Sequence, residues 1–315
     1  MRIGLDIMGG DFAPDACIDG AIIASDKMNT DDKIVLIGSK KLILDKLSKR
    51  KHNPEVFAIV DAPEVIQMND HPAKAFQQKQ NSSLVKGYKL LRDKAIDGFA
   101  SAGNTGAMMV GAIQTTKQIP GVLRPAIASF IPTTNGKHNI LLDVGLNPDS
   151  KPDVLYQYGV LGSIFYQFIF GVETPKVTLL NIGKEEGKGN LASKSAFELM
   201  KNSPDFNFVG NIEGHELFDS QATDVIVADG FVGNILLKQA ESFYTMLKNR
   251  GVEDEYFERF NYEIYGGTPI LGINENVVIG HGISNARAIS NMILQTKKMV
   301  NAKLSLRIKD FFSYE

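Results

Sequence analysis

Short apolar runs alternate along the chain with longer stretches in which apolar positions recur every three to four residues. Ile3–Ile7, Ile34–Ile37, Val56–Val60, Gly98–Ser101, Ile127–Ile131, Ile140–Asp143, Val177–Asn181, Phe206–Gly210 and Asp224–Ala228 have the length and composition of strands. Asp15–Met28, Ser83–Ile96, Thr105–Gln118, Pro152–Phe170, Ser193–Asn202 and Phe231–Arg250 carry the helical period. Strands that are apolar almost throughout are expected where both faces of a sheet are covered. Their alternation with helices of this length predicts βαβ units and a mostly parallel sheet, an α/β fold of the doubly wound kind. The expected organisation is one unit over residues 1–315 with a smaller sub-lobe around 230–280, where Val252–Tyr265 interrupts the alternation. A long helix, Asn285–Phe312, is expected to close the chain.

Composition narrows the class. Of 315 residues, 43% are hydrophobic and 22% charged, as in an ordinary globular protein. Lys and Arg number 34 against 36 Asp and Glu, so no basic excess marks a nucleic-acid binder. The single cysteine, Cys17, excludes an internal disulfide, a four-cysteine zinc site and an iron–sulfur cluster, and its place in the first helix favours packing. Asp6 and the short apolar run around it argue against a leader, so a cytoplasmic address is expected. Val154–Val172 is uncharged, but its tyrosines, glutamines and glycines suit a buried helix better than a membrane span.

In an open parallel sheet, ligands gather at the carboxyl ends of the strands. Here the loops at those ends are unusual. Met8-Gly9-Gly10-Asp11 follows the first strand; its alternative reading is a tight turn with an acidic cap. Ser101-Ala102-Gly103-Asn104-Thr105-Gly106 opens a helix with glycines that leave main-chain N–H groups free to meet an anion, and with Asn104 and Thr105 as side-chain donors. An Asn/Thr helix cap explains the same residues. The loop is neither a Walker loop nor GxGxxG. Asn181–Asn190 sets Lys184 and Lys188 among three glycines, suited to an oxyanion or a proton transfer, or simply to solvent. Asp229–Asn234 and Gly280-His281-Gly282-Ile283-Ser284-Asn285 complete the set. No spacing of His, Asp and Glu makes a metal site, and no nucleophile elbow is present.

Taken in order, LDIMGGDFAPD, SAGNTGA, LLDVGLNPDSKPD, LLNIGKEEGKGN, FVGNIEGHEL, DVIVADGFVGNILLK and GGTPILGINENVVIGHGISN resemble successive blocks of the PlsX-type phosphate acyltransferases, from about residue 3 to residue 290. The resemblance implies an α/β/α sandwich related to phosphotransacetylases and isocitrate-type dehydrogenases. It implies transfer of a fatty acyl group from acyl carrier protein to inorganic phosphate, giving acyl phosphate for phospholipid synthesis. It also implies a homodimer, peripheral contact with the membrane, and handover to a membrane glycerol-3-phosphate acyltransferase. Neither cofactor nor metal is expected. Substrate binding is assigned to Asp11, Gly103, Asn104, Thr105, Gly106, Asn234, Ser284 and Asn285, with Lys188 and His281 nearest the transferring centre. Thr268 and the pair Glu275-Asn276 depart from the family pattern.

An acidic carrier protein calls for a basic face, and three runs qualify: Lys40–Lys51, Lys86–Lys94 and Lys297–Lys309. Phe243, Tyr244, Met246, Leu247, Tyr256, Phe257 and Phe260 are the candidates for membrane contact. Two rival functions stay open: a coenzyme A-dependent phosphotransacetylase, and a non-catalytic scaffold that binds acyl carrier protein. A metal- and NAD-dependent hydroxy-acid dehydrogenase lacks the arginine cluster it would need.

Overall fold

A computed structural model describes residues 1–218 and 223–313. In chain order the strands are β1 (Arg2–Asp6), β2 (Lys33–Gly38), β3 (Ala58–Asp61), β4 (Gly98–Ser101), β5 (Ala126–Pro132), β6 (His138–Leu142), β7 (Lys176–Leu180), β8 (Asn207–Ile212), β9 (Val225–Val227), β10 (Thr268–Leu271) and β11 (Asn276–Ile279). The chain gathers into two compact units. One comprises Met1–Gln118 with Tyr262–Ser305; the other comprises Ile119–Asn261 and the stretch that begins at Leu306. The 230–280 region, read from sequence as a sub-lobe, is divided between them after Asn261.

The strand order in the first unit is β3-β2-β1-β4-β11-β10. All neighbours run parallel except β10, which pairs antiparallel to β11. Register sets Leu5 beside Leu36 and Ala100, and Ile279 beside Ser101. From β1 the chain winds outward through β2 and β3, then returns to the other side of β1 with β4. A crevice therefore opens at the carboxyl ends of β1 and β4, where the winding reverses. Beneath it, Phe76, Tyr88 and Phe99 pack edge to face, and the buried Tyr88 hydroxyl donates to the Met108 carbonyl (2.6 Å). Gly87 and Gly111 make room for those rings. A Cβ at either would lie 2.3 or 2.2 Å from an aromatic carbon.

The second unit has the order β5-β6-β9-β7-β8, with only β5 and β6 antiparallel. Its central helix is Pro152–Phe170, with the bounds expected from sequence. Twelve of its 19 residues are buried, among them Gly162, which lies against Val225 and Leu142. Among the described residues, no helix is long and apolar enough to cross a membrane.

The fold class is therefore as expected, and most element bounds lie within a few residues of the pattern. Three differences have local causes. The helix expected over Thr105–Gln118 is α-helical to Gly111 and then widens into a π turn over Ala112–Thr116, where the Thr116 hydroxyl back-bonds to the Ala112 carbonyl. The final helix divides into Ala286–Asn301 and Leu304–Ser313, separated at Lys303, whose φ is 51°. The strand β10, only four residues long and containing Pro269, had no readable periodicity.

Candidate functional site

In the first unit the reversal point is built around two buried polar residues, each the last of its strand. Asp6 ends β1 and Ser101 ends β4. The Ser101 hydroxyl donates to Asp6 Oδ2 (2.8 Å) and accepts from the Gly103 N–H (3.0 Å), while the Met8 N–H donates to Asp6 Oδ1 (2.9 Å). Burial pushes the Asp6 carboxyl above its ordinary value, against the hydrogen bonds from Ser83, Ser101 and the main chain. Only glycine fits at position 9, where a Cβ would sit 2.7 Å from both Asp6 Oδ2 and the Gly103 nitrogen. The third turn joins through two main-chain bonds, Asp11 N–H to the Gly282 carbonyl (2.7 Å) and Gly280 N–H to the Ser101 carbonyl (2.9 Å). The turns at residues 8–11, 101–106 and 280–285 thus meet.

Most of the candidates read from sequence lie here: Asp11, Gly103, Asn104, Thr105, Gly106, His281, Ser284 and Asn285. Their roles differ. Asn104 is the helix cap of the alternative reading: its Oδ1 accepts from the Ala107 N–H (2.9 Å). Its Nδ2 donates to the carbonyls of Gln67, Met68 and Asp70 at 3.1 Å each, so a fourth segment is tied to the site. Asn285 likewise caps its helix through the Ala288 N–H and gives its amide to Glu263 (2.7 Å). The Asn104 amide is taken up by three carbonyls, whereas the Asn285 amide commits one of its two N–H groups to Glu263. The N–H groups of Thr105 and Gly106, as first-turn groups, have no intrahelical acceptor and are open donors. Ser284 adds a hydroxyl that is buried without a hydrogen-bond partner. The His281 ring packs against Tyr262 at 4.7 Å, and the Tyr262 hydroxyl holds the Ile283 carbonyl (3.0 Å).

Lys188 and Asn234 belong to the second unit. There Asp143, buried directly after β6, accepts from the main-chain N–H groups of Ile127 (2.9 Å), Leu146 (3.0 Å) and Asn147 (2.6 Å). Burial raises its carboxyl too. Gly230 N–H bonds to the Asn147 carbonyl (2.8 Å), and a Cβ at Gly233 would lie 2.0 Å from the Asp143 carbonyl oxygen. The turn bearing Asn234 is thereby locked onto the Asp143 loop, and the Asp229 side chain caps its helix at Val232 (2.8 Å). A cleft of about 270 Å³ opens beside this loop, lined by Arg124, Asn147, Ser150 and Lys151 among others. In the Asn181–Asn190 loop, Lys184 is paired with Glu216 (2.5 Å) and Lys188 lies half exposed, 3.9 Å from Glu185.

With the geometry in place, comparison with known proteins decides the family. A family described as fatty acid synthesis protein matches residues 1–307. A phosphate acyltransferase of Dictyoglomus turgidum is 40% identical, covering 98% of this chain and 96% of its own. One from Salinibacter ruber is also 40% identical, over 99% and 97%. The chain belongs to the phosphate acyltransferase family. It is an acyltransferase. EutD phosphotransacetylase from Staphylococcus aureus has a similar fold, with a TM-score of 0.65 at 16% identity over 95% of this chain and 94% of its own.

In this acyltransferase Cys17 lies buried in the first helix with its thiol toward the Gly9 carbonyl (3.4 Å). Burial pushes the thiol far above its ordinary value, which makes it a poor nucleophile. Among the described residues, Glu213, His215 and Glu216 bring ligand atoms within 4.8 Å of one another, and Glu216 is already held by Lys184. Sequence reasoning missed Asp6 and Ser101. For Asp6 the signal in the sequence is an acidic residue in an apolar strand just before two glycines.

Proposed function

We propose that this acyltransferase moves a fatty acyl group from the thioester of acyl carrier protein to inorganic phosphate. The observation that carries the reading is the convergence of three turns at the carboxyl ends of β1, β4 and β11, with the Thr105 and Gly106 N–H groups and the Ser284 hydroxyl left as donors. A tetrahedral dianion suits such a set, because converging N–H and O–H dipoles replace its water. A phosphate oxygen attacks the thioester carbonyl carbon, the carbon–sulfur bond breaks, and the carrier thiolate departs and takes up a proton. A thiolate leaves readily, so orientation and oxyanion donors supply the rate; one donor is worth roughly 3–4 kcal/mol in the transition state. His281 is assigned to the transferring centre in the first unit. Lys188, in the other, is assigned by substitution.

The acyl phosphate fits a place ahead of a membrane glycerol-3-phosphate acyltransferase in phospholipid synthesis, with the enzyme in the cytoplasm and touching the membrane peripherally. For the carrier protein, each basic run is partly neutralised. In the first, Lys46 and Arg50 pair with Asp15, Arg50 also with Asp19, and Lys49 with Asp45, while Lys40, Lys41 and Lys51 are exposed. Lys303, Arg307 and Lys309 remain exposed. The homodimer is supported by the 20-residue helix Gly230–Asn249. It buries only Gly230, Gly233 and Ala240, and near its start leaves Phe231 and Ile235 more than half exposed. Of the membrane candidates, Tyr256, Phe257 and Phe260 pack on one another, which leaves Phe243 and Met246 as the outward pair.

The test is incubation with palmitoyl-acyl carrier protein, with and without phosphate, following free carrier thiol and acyl phosphate. Phosphate-dependent thiol release with matching acyl phosphate is expected, reduced in His281→Ala and Lys188→Ala. Turnover of acetyl-coenzyme A alone would establish the phosphotransacetylase instead, and carrier binding without turnover the scaffold.

A further inference from the structure

The polar pair beneath the glycine turns has no direct route to a ligand: Asp6 is 2% exposed and Ser101 0%. Its bonds nonetheless run in one direction. Asp6 accepts the Ser101 proton, which turns a Ser101 lone pair to the Gly103 N–H. Asp6 also holds the Met8 N–H, and Gly9 passes so close that no side chain could separate the carboxylate from the Gly103 nitrogen. One carboxylate and one hydroxyl therefore fix the glycine turn after β1 and the turn after β4 together. The Gly103 N–H is consumed inward, and the Ala107 N–H is taken by the Asn104 cap, so the first two residues of the helix, Thr105 and Gly106, offer their N–H groups to an anion.

We propose that Asp6 and Ser101 are positioning residues, which set the Gly103–Gly106 turn at the geometry that binds phosphate without touching it. This rests on the reading of that turn as the phosphate site. Losing the Ser101 hydroxyl frees Gly103 to turn its N–H elsewhere, so the donors lose their alignment while the acyl donor's contacts stay. A group that only stabilised the fold would lower the amount of active enzyme and leave the phosphate KM unchanged.

The experiment takes wild type, Ser101→Ala and Ser101→Cys through three measurements: steady-state kinetics against phosphate and against palmitoyl-acyl carrier protein, calorimetric titration with inorganic phosphate, and thermal melting. In Ser101→Ala, the KM and Kd for phosphate are expected to rise about tenfold or more, with the acyl-donor KM within twofold of wild type. Ser101→Cys keeps a weak donor and acceptor and is expected to fall between. Wild-type kinetics for phosphate in folded Ser101→Ala, or activity losses in both variants that follow only the loss of folded protein, would overturn the positioning role while sparing the proposed reaction. Wild-type enzyme that neither binds phosphate nor needs it for turnover would overturn both.

Discussion

Asp6 and Asp143 hold corresponding places in their units, each buried at the carboxyl end of a strand from which the chain enters a loop. Their partners differ. Asp6 is held by the Ser101 and Ser83 hydroxyls and the main-chain N–H groups of Met8 and Gly9, whereas Asp143 gathers three main-chain N–H groups and the Asn147 amide. A hydroxyl rotates and can find another acceptor; a main-chain N–H fixed in a turn cannot. The Asp143 loop is thus a main-chain structure dependent on one side chain. The turns above Asp6 depend on a side-chain relay, which can be loosened without unfolding the unit.

The largest effect that would sharpen this contrast is on stability. Asp143→Ala strands three N–H groups and is expected to cost about 3–5 kcal/mol, against about 2–3 kcal/mol for Asp6→Ala, both read by chemical denaturation. Equal losses would break the comparison. Next, Gly233→Ala drives a Cβ into the Asp143 carbonyl and is expected to cost at least about 2 kcal/mol. Gly187→Ala, with no atom within 4 Å of the new carbon, should change stability by less than about 0.5 kcal/mol. Asn104→Ala removes a cap and three carbonyl bonds, for about 2 kcal/mol. Asn190→Ala removes an exposed cap at Ser193, for about 1 kcal/mol or less.

The smallest effect is in pH. Burial holds the Asp6 and Asp143 carboxyls above their ordinary value of 3.8 in the folded state. The stability this contributes is full below that value and is lost as pH rises through the higher folded one. Asp15 is the reverse: hydrogen bonds from Lys46 and Arg50 hold it low, so its contribution is present above 3.8 and lost as pH falls through its lowered value. Unfolding free energies from pH 3 to pH 7 should therefore shift with opposite slope in Asp6→Asn and Asp15→Asn. Slopes of the same sign would refute the assignment.

The helix Pro152–Phe170 was legible to the residue because its period is long, Pro152 marks its start and Gly171, at φ 73°, its end. The turn Ser101–Gly106 was legible as a site, but not in its division of labour. Asn104 and Asn285 look like ligand donors in one dimension because an amide next to glycines has the same composition whether it caps a helix or holds an anion. Its partners in the Gln67–Asp70 segment and at Glu263 are distant in sequence. Ser101 went unread because nothing local distinguishes a serine that faces Asp6, 95 residues away, from one that faces solvent.

The sequence by itself determined the α/β class, nine of the eleven described strands and most helices, the glycine turns at their carboxyl ends and the family. Each of these rests on short-range periodicity, on turn chemistry or on ordered blocks of residues. The tertiary structure decided which turns meet, which amides are occupied, and how the chain from Asn285 onward divides at Lys303 into two helices. Those outcomes depend on hydrogen bonds and packing between residues far apart in the chain, and pairings of that kind leave no local pattern.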